Sequence, residues 1–264
     1  MLFRSGNATL IQSARTASGS ELESLLHSHD RAVIEALLEN PALREPHLLV
    51  LLARRDLPAG IITTVSRNAV WMRSYPMKAA VLKHPLTPRH IALPLLKHIY
   101  LFDLLAMAQT PGLAADLKRL AEDSILAQLG SVAMGQKLTL ARRGSHRIAA
   151  GLLLDTEKRV IEAALENPAM TDQELAQALA SEKASAGLTE TVLASQRWMA
   201  RRPVLLGMMR SRYISLARFA ALLGELTSIE LADLRQDPRL PANLRQYVGR
   251  ISAQKKNRPG PQED

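Results

Sequence analysis

The ten residues VIEALLENPA at 33–42 return as VIEAALENPA at 160–169, with a single exchange of Leu37 for Ala164. The echo keeps one offset of 127 residues without a gap. Leu48 meets Leu175, Leu52 meets Leu179, Val65 meets Val192, Trp71-Met72 meets Trp198-Met199 and Pro76 meets Pro203. The chain has two tryptophans, and they align with each other. Composition alone does not hold a constant register over such a span. Residues 33–96 and 160–223 are therefore an internal duplication, and the fold must be one that a chain can build twice.

A looser echo divides each copy. Asn40-Pro41, His84-Pro85 and Asn167-Pro168 mark breaks in the chain, although the residue facing Pro85 in the second copy is Arg212. Spacings of roughly 43 residues predict a helical repeat in the range of about 40 to 47. Within VIEAALEN, Val160, Ile161, Ala164 and Leu165 fall on one helical stripe. Asn167 is expected to close that helix in the left-handed conformation, with Pro168 denying the next hydrogen bond. Thr171-Asp172-Gln173-Glu174 reads as a capping box opening the next helix. Thr87-Pro88 reads as a cap followed by proline at the first helical position, and Gly187 as a helix stop. No strand-like alternation of any length occurs. Apolar residues make up 47% of the chain but aromatics only 3%, so the core is one of Leu, Ala, Ile and Val, which suits close helix packing.

Residues 104–135 fit the pattern least, because Pro111-Gly112 breaks it before LAADLKRLAEDSILAQLG resumes as an amphipathic helix. Beyond residue 226, SIELADL and LPANLRQYVGRIS still read as helical. The expected organisation is a loosely ordered segment 1–25, an α-helical repeat domain 26–250 and a disordered polar tail 251–264. The N-terminus has no secretory pattern, and the most apolar stretch, 91–108, is interrupted by Lys97, His98 and Asp103. No membrane insertion and a cytoplasmic location are the expectations. The absence of cysteine excludes disulfides, thiol nucleophiles and Cys-ligated zinc.

The turns ENPALREP, KHPLTPRH and ENPAMTDQ resemble those of the HEAT-like and leucine-rich-repeat-variant α-solenoids of bacteria, over roughly residues 30 to 225. That resemblance implies an all-α solenoid of stacked helical pairs, about five units of roughly 42 residues, used as a binding scaffold. One branch of HEAT-like proteins comprises DNA glycosylases acting on alkylated bases. Its catalytic motif has no residue-by-residue match here, so that activity is not carried over.

Catalytic and cofactor signatures find no foothold. GSVAMGQKLT at 130–139 lacks the Gly-Lys-Ser/Thr order that a phosphate loop requires, since Gln136 and Leu138 intrude, and it reads as a turn between helices. His27, His29, His84, His90 and His98 lack metal-ligand spacing, so no metal and no cofactor are expected. Glu35/Glu39 and Glu162/Glu166 recur opposite the apolar stripe, as a solvated face does. Trp71 and Trp198, set among Val, Met and Pro, read as packing residues.

Charge is the informative anomaly. The chain carries a net +9, and three windows, 57–102, 124–154 and 191–224, contain no acid. Stacked repeats turn such a periodic bias into a stripe. The predicted stripe consists of Arg73, Arg142, Arg143, Arg147, Arg197, Arg201, Arg202 and Arg210. The expected function is a non-enzymatic interaction scaffold binding a protein or peptide partner, acidic in character. The alternative is weakly sequence-selective nucleic-acid binding through the arginines.

Overall fold

A computed structural model describes residues 2–240 and 242–256, with side chains over 8–240 and 242–253. Among these the chain is all-α and has no strand. It divides into two compact units, Met1–Gln128 and Leu129–Asp264. The boundary falls inside the single repeat domain, 26–250, that the sequence suggests.

The first unit runs through α1 (Leu2–Thr16), α2 (Gly19–Leu25), α3 (Arg31–Leu38), α4 (Glu45–Ala53) and α5 (Ala59–Arg67). A 3-10 turn at Trp71–Arg73 leads to α6 (Tyr75–Lys83), α7 (Arg89–Leu96), α8 (Leu101–Gln109) and α9 (Ala115–Gln128). The second unit opens with a 3-10 turn, Leu129–Ser131. It continues as α10 (Met134–Arg143), α11 (His146–Leu152), α12 (Lys158–Leu165), α13 (Asp172–Leu179) and α14 (Ala186–Leu193). The short α15 (Gln196–Met199) precedes α16 (Arg202–Met209), α17 (Leu216–Leu223), α18 (Ser228–Gln236) and α19 (Ala242–Lys256).

Moving α2, α3, α7 and α8 forward by 127 residues gives the bounds of α11, α12, α17 and α18 residue for residue. The starts of α4, α5, α6 and α9 map in the same way onto those of α13, α14, α16 and α19. The duplication is thus wider than 33–96 and 160–223. The part of 104–135 that α8 and α9 cover, through residue 128, belongs to it too.

Most of these helices are two turns long, too short to persist alone, so packing holds them. In the first unit α1 packs on α3, α3 on α5, α4 on α6 and α8 on α9. In the second, α10 packs on α12, α12 on α14, α13 on α16 and α18 on α19. The first core joins Leu22, Val33, Leu37, Leu48, Ile62 and Met77, each almost fully buried. Phe219, Leu223, Leu231, Leu234 and Val248 form a core in the second. Each such side chain contributes about 1.5 to 3 kcal/mol on leaving water. Ala14, Ala17 and Leu22 are part of the first core, so residues 8–25 are not loosely held as expected. Residues 251–256, expected in the tail, continue α19, while 257–264 lie outside the described residues.

The Asn-Pro turn works differently from the expected left-handed helix end, since no described non-glycine residue has positive φ. Asn167 is buried instead, and its side chain reaches back one helix. Its Nδ2 donates to the carbonyls of Ala141 (2.6 Å) and Gly144 (3.0 Å), while Oδ1 accepts from the Ala169 N–H (2.7 Å). Asn40 makes the same three bonds at the same offset, to Ala14, Ala17 and Ala42. One side chain thus satisfies the carbonyls that end α1 or α10 and ties them to the turn after α3 or α12.

Three further readings of the punctuation are corrected. Thr87 does not cap α7: its buried hydroxyl donates to the Val81 carbonyl, and α7 starts after Pro88. Gly187 lies inside α14 and does not end a helix, because α13 has already stopped at Leu179. In the GSVAMGQKLT segment, residues 134–139 form the start of α10 and not a turn. At Thr171 the hydroxyl does accept the Glu174 N–H, as the expected cap requires, and a full capping box forms at Thr227 and Glu230.

His84 occupies the residue-before-proline position of α6. Its buried Nε2–H donates to the Arg54 carbonyl (2.7 Å), and Nδ1 accepts the Leu86 N–H (3.2 Å). Both ring nitrogens are used by the neutral form, and burial pushes the imidazole below its ordinary value of 6.5. A depressed folded-state value means that the unfolded chain binds the proton more readily. The contribution is therefore complete above pH 6.5 and is lost as pH falls through the folded value. In urea titrations, the stability gap between the native chain and His84→Gln should narrow as pH drops from 7.5 to 5. A gap that does not change would contradict the neutral assignment.

Candidate anion-binding groove

The predicted arginines do not share one environment. Arg73 lies at the end of the 3-10 turn in the first unit, exposed; the other seven lie in the second. Arg142 and Arg143 stand exposed in the last turn of α10, and Arg147 is half-buried in α11; Arg143 and Arg147 both engage other groups. Arg197 lies over the ring of Trp198, 4.8 Å from its centroid, and Arg201 reaches to 4.0 Å from Asp172.

Arg202 and Arg210 hold carboxylates of their own unit. Arg202 forks onto Glu230, with Nε at 2.6 Å from Oε1, and also donates to the Glu225 carbonyl (3.0 Å). Arg210 Nε lies 2.6 Å from Asp237. The Arg202 guanidinium holds Glu230 at about 2. Burial pushes Asp237 up, but Arg210 and Arg239 outweigh it and hold the group at about 2.

The first unit explains the role of Arg202. The equivalent positions of Arg202, Thr227 and Glu230 are Tyr75, Tyr100 and Asp103. There the Tyr75 hydroxyl donates to Asp103 and accepts the Tyr100 N–H (3.2 Å), with the two rings stacked at 4.2 Å. Burial and the Asp103 carboxylate push the Tyr75 phenol up. The same link from the start of α6 to the start of α8 is rebuilt as an ion pair between α16 and α18. Arg202 is therefore an internal strut, and its carboxylate partner lies beyond the acid-free window that marked it as a ligand contact.

Other sequence candidates also take structural places. Lys137, from the phosphate-loop-like segment, pairs with the nearly buried Asp155 at 2.7 Å. Trp198 is buried and Trp71 packs against the first core. Glu39 pairs with Arg15, Glu35 with Arg31 and Glu162 with Lys158 on solvated faces. His27, His90 and His98 are exposed, and His29 meets Asp56 at 3.0 Å. Among the described residues no three His, Asp or Glu side chains come together in a metal-binding group. No helix there is long and apolar enough to cross a membrane.

The site that sequence reasoning missed lies at α18 and α19. A groove of about 740 Å³ is lined by Arg235, Arg245, Gln246, Gly249 and Arg250, with Ala242 and Ala253 at its ends. No carboxylate pairs with these three arginines among the described residues, and Arg245 Nε is enclosed by protein without an acceptor. In the first unit the matching positions of 245, 246, 249 and 250 are Lys118, Arg119, Glu122 and Asp123. Glu122 and Asp123 are both engaged, and Glu122 is buried. The second unit has exchanged two acids for a glycine and an arginine. The signal was present in the sequence, in the comparison of ADLKRLAEDSIL with ANLRQYVGRISA at the same offset.

Comparison of the chain with protein-family models, with curated proteins and with solved structures finds no match in any of the three.

Proposed function

We propose that the chain is a non-enzymatic scaffold of the helical-repeat, solenoid kind whose second unit binds an acidic protein or peptide segment. The observation that carries this reading is the α18–α19 groove, where three arginines converge without a carboxylate partner among the described residues. Guanidinium forks match carboxylates in geometry as well as charge. The groove offers no aromatic platform on which bases could stack, since Tyr247 packs into the core of the second unit. This favours a peptide over single-stranded nucleic acid. The regular recurrence of the helices supports the repeat reading, because each short helix needs its neighbours to bury its apolar face.

Fluorescence anisotropy with labelled oligoglutamate, random duplex DNA and single-stranded RNA across a salt series tests the proposal. Oligoglutamate should bind with a micromolar Kd that weakens with salt and should compete with nucleic acid. Tighter binding of DNA or RNA than of the peptide, with a steep salt slope, would replace this reading by the nucleic-acid one.

A further inference from the structure

Gly249 sits where the first unit has Glu122. A Cβ built at Gly249 would meet Arg235 Nε at 3.7 Å and Cδ at 3.8 Å, which is ordinary van der Waals contact. The glycine is thus not demanded by crowding, and its φ is not in the left-handed region. Its consequence is that α19 presents no carboxylate where it passes the Arg235 side chain. On α19, Arg245 and Arg250 line the same groove, and Arg245 Nε lacks an acceptor. The first unit supplies acids from its own α9 at this level, at Glu122 and Asp123; α19 of the second unit supplies none.

We infer that the groove is a carboxylate-binding site in which an acidic side chain of the partner pairs with Arg235, Arg245 and Arg250 at the level of Gly249, where the first unit carries Glu122. This rests on the acidic-partner reading and adds to it the atom-level place of recognition. Arg235, Arg245 and Arg250 set the charge, and Gly249 leaves that charge without a carboxylate from α19. The first unit, with both acids in place, does not compete for the same ligand.

The test is to restore the missing acid. Gly249→Glu places a carboxylate beside Arg235 at high effective concentration, and oligoglutamate affinity should fall by roughly tenfold or more. Gly249→Gln fills the same volume without charge and should keep most of the binding. Circular dichroism and urea titration establish that both variants are folded, and Arg245→Gln/Arg250→Gln serves as a second, charge-removing variant that should also lose affinity. Unchanged peptide binding by Gly249→Glu would overturn the site while leaving the acidic-partner reading intact. Equal loss in Gly249→Glu and Gly249→Gln would show that volume rather than charge is read, and would overturn the carboxylate assignment. No binding of oligoglutamate by the native chain would sink both readings. Duplex DNA binding that Gly249→Glu abolishes would assign the groove to phosphate instead.

Discussion

Asn167→Leu should remove about 3 to 5 kcal/mol from the stability of the second unit, enough to unfold a unit of ordinary stability at physiological temperature. Leucine keeps the branching of asparagine at Cγ with bulkier methyl groups, which add some strain of their own. The main loss is polar. The carbonyls of Ala141 and Gly144 lose their donor and the Ala169 N–H loses its acceptor, all at a buried turn. Each stranded group costs roughly 1 to 3 kcal/mol. Asn167→Asp should fail almost as badly, because a carboxylate cannot donate to the two carbonyls. Each unit contains one tryptophan, Trp71 or Trp198, so a Trp71→Phe background makes fluorescence report on the second unit alone. Urea titration in that background should show the Trp198 transition shifted to much lower denaturant. Asn40→Leu should move the Trp71 transition in the same way.

Gly207→Ala should destabilise by about 2 kcal/mol, the reverse of the usual sign for replacing a helical glycine. In α16, a Cβ at Gly207 would lie 2.6 Å from Ala176 Cα and 2.7 Å from its carbonyl oxygen, in α13. These are backbone atoms, so relief requires the two helices to move apart. Ordinary helix propensity would return about 1 kcal/mol, which the overlap more than offsets. The first unit has Ala80 and Leu49 at the equivalent positions, both half-buried at the edge of its core. Larger residues are accommodated there, so the close approach of α13 and α16 is a property of the second unit. Thermal melts of Gly207→Ala followed by Trp198 fluorescence should give a lowered midpoint. A raised midpoint would show that the helices are not in the contact described.

The duplication was legible because it is written in identities, as at Val33 and Val160 or Trp71 and Trp198. Its full extent was not. Around α8, α9, α18 and α19 the register holds while the residues diverge, and a search for repeated letters stops where only repeated geometry remains. The role of Asn167 was hidden for a related reason. Asn-Pro announces a turn from local preference, but the partners of its side chain lie more than twenty residues earlier, on a neighbouring helix. The arginine stripe failed at Arg202 and Arg210 through the same blindness to distance. Each sits in a window free of acids, yet its carboxylate, Glu230 or Asp237, arrives two helices later. Arg235 was passed over because Asp233 and Asp237 flank it in sequence, and Arg245 and Arg250 because they lie beyond residue 226, where the repeat loosens, although 238–262 holds no acid. In the fold Asp237 turns toward Arg210 and Arg239.

The most direct test of the acidic-partner account is hydrogen–deuterium exchange of the full chain with and without oligoglutamate. The account predicts added protection over residues 228–253, spanning α18 and α19, with no matching change over 101–128 in the first unit. Protection centred on 139–147 and 197–212, or none at concentrations where the peptide is bound, would contradict it.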